Sequence, residues 1–236
     1  GSEMCIRDRS DTGLTEIDNS FKYGGNVDDD NSGSLTYVQI CYAGARSTAD
    51  IEHNGLTLNG VGSGTKIENI YVLESADDAI EFFGGTVNVT NLLAVNPDDD
   101  MFDFTQGYSG TLKNCYGVWE NGYTSTEADP RGIEADGNLD GLYPTHLRQS
   151  DFRVENMTIV NNAADKADNV DRMQDVIKIR RGAKAAIVNA LVKGTGGSID
   201  LIDMSDSKGA GNADSSVSIT NSLNLTGKKL NGTLNT

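Results

Sequence analysis

The sequence predicts an all-β fold, a right-handed single-stranded parallel β-helix (a solenoid) of about seven coils. Three observations predict it. A six-residue block of the form apolar, any, Asn, apolar, any, apolar recurs along the chain. The Asn positions of successive copies are separated by the length of one coil, or by that length plus a loop. A second, shorter block with one polar residue between apolar ones falls between the copies of the first.

The first block starts at Leu35-Thr36-Tyr37-Val38-Gln39-Ile40, where Tyr stands in place of Asn. It returns as Ile67-Glu68-Asn69-Ile70-Tyr71-Val72, Val89-Thr90-Asn91-Leu92-Leu93-Ala94 and Leu112-Lys113-Asn114-Cys115-Tyr116-Gly117. Further copies are Val154-Glu155-Asn156-Met157-Thr158-Ile159, Ile187-Val188-Asn189-Ala190-Leu191-Val192 and a weaker Ile219-Thr220-Asn221-Ser222-Leu223-Asn224. The steps between the Asn positions are 32, 22, 23, 42, 33 and 32 residues. Alternating apolar residues mean a strand. A step of 22 or 23 is one bare coil, and the longer steps are coils that carry loops. Stacked coils bring equivalent residues to about 4.8 Å. Asn amides at that spacing can bond up and down a ladder, and Asn tolerates the left-handed backbone that a corner needs. Cys115 shares a column with Ile70, Leu92 and Met157, so it should point inward. Cys41 is three coils away, too far for a disulfide.

The second block reads Asn54-Gly55-Leu56-Thr57-Leu58, Asp78-Ala79-Ile80-Glu81-Phe82 and Asp100-Met101-Phe102-Asp103-Phe104. It continues as Arg131-Gly132-Ile133-Glu134-Ala135, Asp175-Val176-Ile177-Lys178-Ile179 and Gly197-Ser198-Ile199-Asp200-Leu201. Gly60, Gly84, Gly107, Gly137 and Gly182 follow, as suits a tight corner. The apolar residues face inward, so stacking gives one outward column: Thr57, Glu81, Asp103, Glu134, Lys178 and Asp200. The residues three positions earlier give a corner column: Asn54, Asp78, Asp100, Arg131, Asp175 and Gly197.

This pair of columns holds the candidate chemistry. Like charges one coil apart repel by about 3.5 kcal/mol at an effective dielectric near 20. A bound cation, raised pKa values or the neighbouring Arg131 and Lys178 must offset that. Asp78, Glu81, Asp99, Asp100, Asp103 and Glu134 (with Asp136 nearby) form an oxygen-rich set suited to Ca²⁺, which takes six to eight oxygens. The loop Asn26-Val27-Asp28-Asp29-Asp30-Asn31 is a second oxygen-rich stretch. As a catalytic set, Arg131 or Lys178 would serve as base beside Glu81, Asp103 and Glu134, in a lyase or a carboxylate-driven hydrolase. The competing explanation is a solvated ion-pair ladder that keeps coils in register. Arg131 stands between Asp100 and Asp175, within reach of either.

Trp119, Tyr123, Tyr116 and Tyr143, with Tyr108, are aromatics able to stack on sugars if exposed. Trp119 leads into the loop 120–131, where the step between coils is longest, and long loops on rigid scaffolds commonly bind. The alternative is a loop folded over the coil, burying the rings. His53 and His146 have no spaced Cys or His partner, which argues against zinc.

In NGLTLNGVGSGT (54–65), DDAIEFFGGTVN (77–88), DDDMFDF (98–104), GIEADGN (132–138) and DVIKIRRGAKAAIVNALV (175–192) the chain resembles the secreted right-handed parallel β-helix proteins, often lipoproteins, of marine Bacteroidetes and related bacteria. The resemblance covers roughly 20–205. It implies a secreted or outer-surface bacterial protein, with the family's N-terminal cap and early coils lying upstream of this sequence. It implies no particular activity.

Composition bounds the rest. The 236 residues carry 35 Asp+Glu against 19 Lys+Arg, a net charge of −16. That excludes a nucleic-acid partner, which needs a basic face. No apolar run reaches the length of a membrane span. Residues 1–10 resemble a cloning scar and translated adapter and are set apart. Residues 11–236 read as a single domain, with 205–236 as a last, loosely packed coil. A coil end exposes unpaired backbone, so end-to-end self-association is expected unless something caps it. Three functions follow from the sequence: a non-catalytic, Ca²⁺-stabilised module that binds extracellular polysaccharide or attaches to a surface; a polysaccharide lyase or glycoside hydrolase; and a self-associating structural module.

Overall fold

The computed structural model describes residues 13–15, 18, 20–45, 53–138, 148–163, 173–198, 200–205, 215–226 and 230–231. A two-stranded antiparallel ribbon, β1 (Gly13–Leu14) and β2 (Lys22–Tyr23), precedes the solenoid. Each coil then contributes one long and one short strand. The first three coils are β3 (Ser34–Cys41) with β4 (Leu56–Asn59), β5 (Lys66–Leu73) with β6 (Ile80–Phe83), and β7 (Asn88–Val95) with β8 (Phe102–Thr105). The next three are β9 (Thr111–Trp119) with β10 (Ile133–Asp136), β11 (Asp151–Asn161) with β12 (Asp175–Arg180), and β13 (Lys184–Lys193) with β14 (Asp200–Asp203). In the seventh the long strand is split into β15 (Ser216–Thr220) and β16 (Leu223–Asn224), followed by β17 (Leu230–Asn231). Long strands pair only with long ones and short with short, all parallel, in two sheets that run the length of the solenoid. This is a parallel β-helix. No helix among the described residues is long and apolar enough to cross a membrane.

The Asn column explains why the long strands stay paired yet turn. Tyr37, Asn69, Asn91, Asn114, Asn156, Asn189 and Asn221 all have φ between 51° and 60°. Each bends its strand there, and the ladder register passes over it, as from Glu68–Thr90 to Ile70–Leu92. The side chains form a continuous amide ladder: each Nδ2 donates to the Oδ1 of the preceding coil, at 2.8 Å for Asn91–Asn69, 3.0 Å for Asn114–Asn91, 2.8 Å for Asn156–Asn114 and 2.8 Å for Asn189–Asn156. Asn is the residue for this place because a bulky side chain pays more strain in the left-handed region and offers no such ladder.

Inward columns fill the interior. Leu92, Cys115 and Met157 are in register and buried, and Cys115 is a free thiol. Burial pushes that thiol up to about 12. Phe82, Phe104 and Phe152 stack along the axis with ring centroids 5.1 and 4.1 Å apart. Tyr108 leans on all three and donates its hydroxyl to the Val87 carbonyl at 2.8 Å. It is fully buried, so it is a core residue and not a sugar platform.

One expectation needs correction. The residue opposite Lys178 is Asp203, and Asp200 lies opposite Asp175 in the corner column. The sixth short block is therefore Asp200-Leu201-Ile202-Asp203-Met204, three residues later than the sequence alone suggests, with Ile202 buried beside Ile177. The corner glycines also share their duty. Gly60 and Gly84 are left-handed at φ 63° and 69°, but at the third and fifth coils the first corner residue is Gln106 (φ 53°) or Arg181 (φ 54°), with Gly107 and Gly182 next.

Candidate functional site

The short strands set Thr57, Glu81, Asp103, Glu134, Lys178 and Asp203 side by side on consecutive coils. Their flanking residues, such as Ile80 and Phe82 or Phe102 and Phe104, anchor the backbone in the core. The corner column stands next to them and bonds along the axis. Asn54 Oδ1 accepts from the Asp78 amide at 3.2 Å, Asp78 Oδ1 from the Asp100 amide at 2.9 Å, and Asp100 Oδ1 from the Arg131 amide at 2.6 Å. A short polar side chain at each corner thus satisfies a backbone donor of the next coil, which is a structural reason for Asp at 78 and 100.

The outward column is not a solvated face. Glu81 and Lys178 are 7% and 4% exposed, and Arg131 in the corner column is 6% exposed. The corner side chains turn toward the column and cover it: Asn54 Nδ2 donates to Glu81 at 2.6 Å, and Arg131 pairs with Glu134. Burial makes each charge depend on its partner.

Charge is unevenly distributed along the stack. On the later coils every cation is committed. Arg131 binds Glu134 and Asp129 (2.9 Å) and lies 3.7 Å from Asp175. Lys178 binds Asp203, and Ser205 lies 3.4 Å from its Nζ. Arg180 binds Glu134 at 2.9 Å and Asp136 at 2.7 Å, and Arg181 binds Asp136. Of the two partners offered to Arg131 by the sequence, Asp175 is the side-chain neighbour, while Asp100 takes its backbone amide.

The earlier coils are richer in acid than in base, and the pull of Arg131 on Asp99 and Asp100 and of Arg180 on Asp103 does not outweigh burial. No Arg or Lys among the described residues forms an ion pair with Asp78, Asp99 or Asp103. One carboxylate oxygen of Asp99 and one of Asp103 are shut off from solvent with no hydrogen-bond partner. Three sets bring carboxylate oxygens within 4.8 Å of one another: Asp77, Asp78 and Asp99; Asp78, Glu81 and Asp103; and Asp100, Asp103 and Glu134. Burial, then the neighbouring carboxylates, hold Asp78, Asp99, Asp100 and Asp103 well above the usual carboxylate range. Burial also lifts Asp136, against the pull of Arg180 and Arg181, and takes Asp175 to about 6. Burial alone would raise Asp203, but hydrogen bonds from Lys178 and Ser205 outweigh it and hold the group low. For Arg131, burial works against the charge, and Glu134, Asp100 and Asp129 more than offset it.

A family model described as a pectate-lyase like beta helix domain matches residues 4–235. The chain belongs to that family. No curated protein and no solved structure matches it.

In this pectate-lyase-like β-helix the predicted aromatic platform is mostly internal. Trp119 is fully buried and donates its indole N–H to the Pro97 carbonyl at 3.0 Å. Tyr123 is half-buried, packs on Trp119 and donates to the same carbonyl at 2.9 Å. Trp119 is corrected from an exposed sugar contact to an anchor, and Tyr123 is drawn partly in beside it, because the loop 120–131 folds back over the preceding coil. Asp98 fastens that loop by accepting from the Thr126 amide at 2.8 Å and from the Thr126 hydroxyl. Tyr116 is exposed, on a different face from the acidic stack. Tyr143 and His146 lie outside the described residues. In the second oxygen-rich loop, Asp28 is held by Arg148 at 2.9 Å. Sequence reasoning passed over Arg181, a buried partner of Asp136; its position two residues after the Ile177–Ile179 alternation gives no hint that it turns back to the stack.

Proposed function

We propose that the chain is a non-catalytic module of a secreted or surface-held bacterial protein, that it binds extracellular polysaccharide, and that Ca²⁺ completes its acidic stack. The observation that supports a binding module over an enzyme is the state of the cations. A lyase base must come within hydrogen-bond reach of the proton it removes. Arg131 and Lys178 are buried and already bonded to carboxylates. Freeing either would break a buried ion pair, Arg131 with Glu134 or Lys178 with Asp203, which ties both cations to the stack. The family description ties the fold to proteins that act on a polysaccharide, which supports the carbohydrate partner.

The Ca²⁺ assignment is supported by the chemistry of Asp78, Glu81 and Asp103. They offer three carboxylates in one place, and Asp103 has a buried oxygen with no partner. Hard oxygen donors suit Ca²⁺, with water or carbonyls filling its remaining positions. Asp100, Asp103 and Glu134 form the neighbouring set, but Glu134 already serves two arginines.

One observation favours hydrolysis instead: Asp103, which burial and then Glu134 hold well above the usual carboxylate range, stands beside Glu134, the pairing of acid and carboxylate that glycosidases use. A single assay separates the readings. The full chain is incubated with soluble polysaccharides, and both gel retardation and product formation are followed. The binding module predicts retardation by at least one polysaccharide with no product. Product that accumulates in proportion to protein concentration would replace it with the enzyme reading.

A further inference from the structure

A groove of about 530 Å³ runs along the solenoid axis on the outer face of the long strands, away from the acidic stack. Its floor is one column in register: Val118 of β9, Val160 of β11 and the stem of Lys193 of β13. Tyr116, two residues before Val118, forms one wall and is 41% exposed. The turns that follow the strands form the other, through Glu120, Asn121 and Asn162.

The polar wall is fixed in place. Glu120 is clamped by Asn96, which accepts its amide at 2.8 Å and donates to its carboxylate at 3.0 Å. Asn162 donates its amide to the Trp119 carbonyl at 2.9 Å, and its Oδ1 accepts from Thr195 at 3.3 Å. The side-chain nitrogens of Asn121, Asn162 and Lys193 make no hydrogen bond or ion pair among the described residues. They are donors without acceptors around an apolar floor.

We infer that this groove binds a pyranose polysaccharide, with Tyr116 against a ring face and Asn121, Asn162 and Lys193 on its oxygens. A pyranose has an apolar C–H face and a rim of hydroxyls, which is the complement of this lining. Three coils at a rise of about 4.8 Å each give a floor about two sugar rings long. The volume lies in the usual range for a ligand site, roughly 300–1,000 Å³. An added peptide strand is a poor occupant, because β9, β11 and β13 are paired on both sides and offer no free edge. Lys193 lets the ring carry either hydroxyls or a carboxylate.

The inference rests on the polysaccharide reading and gives that reading its site. The test uses the full chain with polygalacturonate and with a neutral β-glucan, by affinity electrophoresis and calorimetry. Wild type is expected to bind at least one. Tyr116→Ala is expected to weaken binding at least tenfold with an unchanged melting temperature, and Asn162→Ala to weaken it as much while also losing its bond to Thr195. Loss from Lys193→Gln on polygalacturonate alone assigns a uronate, and equal loss on both polymers assigns hydroxyl contacts; either supports the groove. Wild-type binding that Tyr116→Ala leaves intact overturns the groove but not the polysaccharide reading. No wild-type binding to either polymer, or to a wider glycan panel, overturns both.

Discussion

Replacing Asn114 by Ala probes what holds coils in register. Asn114 is in the middle of the amide ladder, donating to Asn91 at 3.0 Å and accepting from Asn156 at 2.8 Å. Its φ is 54°. Ala at that conformation costs about 1–2 kcal/mol. Each bond is worth about 0.5–1.5 kcal/mol net, and these are exposed, so the low end applies. The sum is about 2–3 kcal/mol. At about 2–4 °C per kcal/mol for a chain of this size, Asn114→Ala should melt some 4–12 °C below wild type. Asn114→Gly removes the same bonds but relieves the backbone, so it should lose about 1 kcal/mol, a third to a half as much. Urea unfolding followed by circular dichroism measures both. If Ala and Gly lose the same amount, left-handed strain is not what selects Asn. If neither loses more than about 0.5 kcal/mol, the ladder is ornament.

Three further predictions concern the stack and the core. Asp78, Asp99, Asp100 and Asp103 have raised pKa values, and Asp175 is near 6. The folded chain therefore holds protons that the unfolded chain has lost, so stability falls as pH rises from about 4 through the folded values. In EDTA the protein should melt higher at pH 5 than at pH 7.5, and Asp103→Asn should flatten that slope; a melting temperature that rises over this interval contradicts the charge assignment. Lys178→Met should cost about 3 kcal/mol by stranding Asp203, and Lys178→Met with Asp203→Leu should recover most of it; a double variant no better than the single would show that the pair is not the unit. Gly110→Ala presses a methyl into the Val87 carbonyl oxygen that Tyr108 also uses, so it should cost about 1–3 kcal/mol by thermal melting; an unchanged melt would mean that the coil yields freely there.

The strands and the two corner systems were legible because each rests on a short, local rule. Apolar alternation marks the strands, and a repeated Asn at the same offset marks a left-handed corner. The sixth short block was not legible, because two overlapping frames satisfy the same rule. Asp200 lies between Ile199 and Leu201, and Asp203 between Ile202 and Met204. Only pairing with β12 chooses, and it chooses Asp203. Which outward residues are buried was also hidden. Glu81 points away from the core, yet Asn54 from the coil before covers it, a contact that depends on stacking. Trp119 was misplaced for the same reason: its partner is Pro97, one coil earlier. Tyr116 and Lys193 gave no sign of sharing a groove, since 77 residues of sequence separate them and register alone brings their coils together.

The most direct test of the account is a melting curve at pH 7.5 in EDTA, repeated with excess Ca²⁺. A ligand of the folded state at about a hundred times its Kd adds about 2.7 kcal/mol. For this chain that is a rise of roughly 5–11 °C, which Asp103→Asn should largely abolish. Superimposable curves with and without Ca²⁺ would contradict the account: no cation would then complete the stack of Asp78, Glu81 and Asp103.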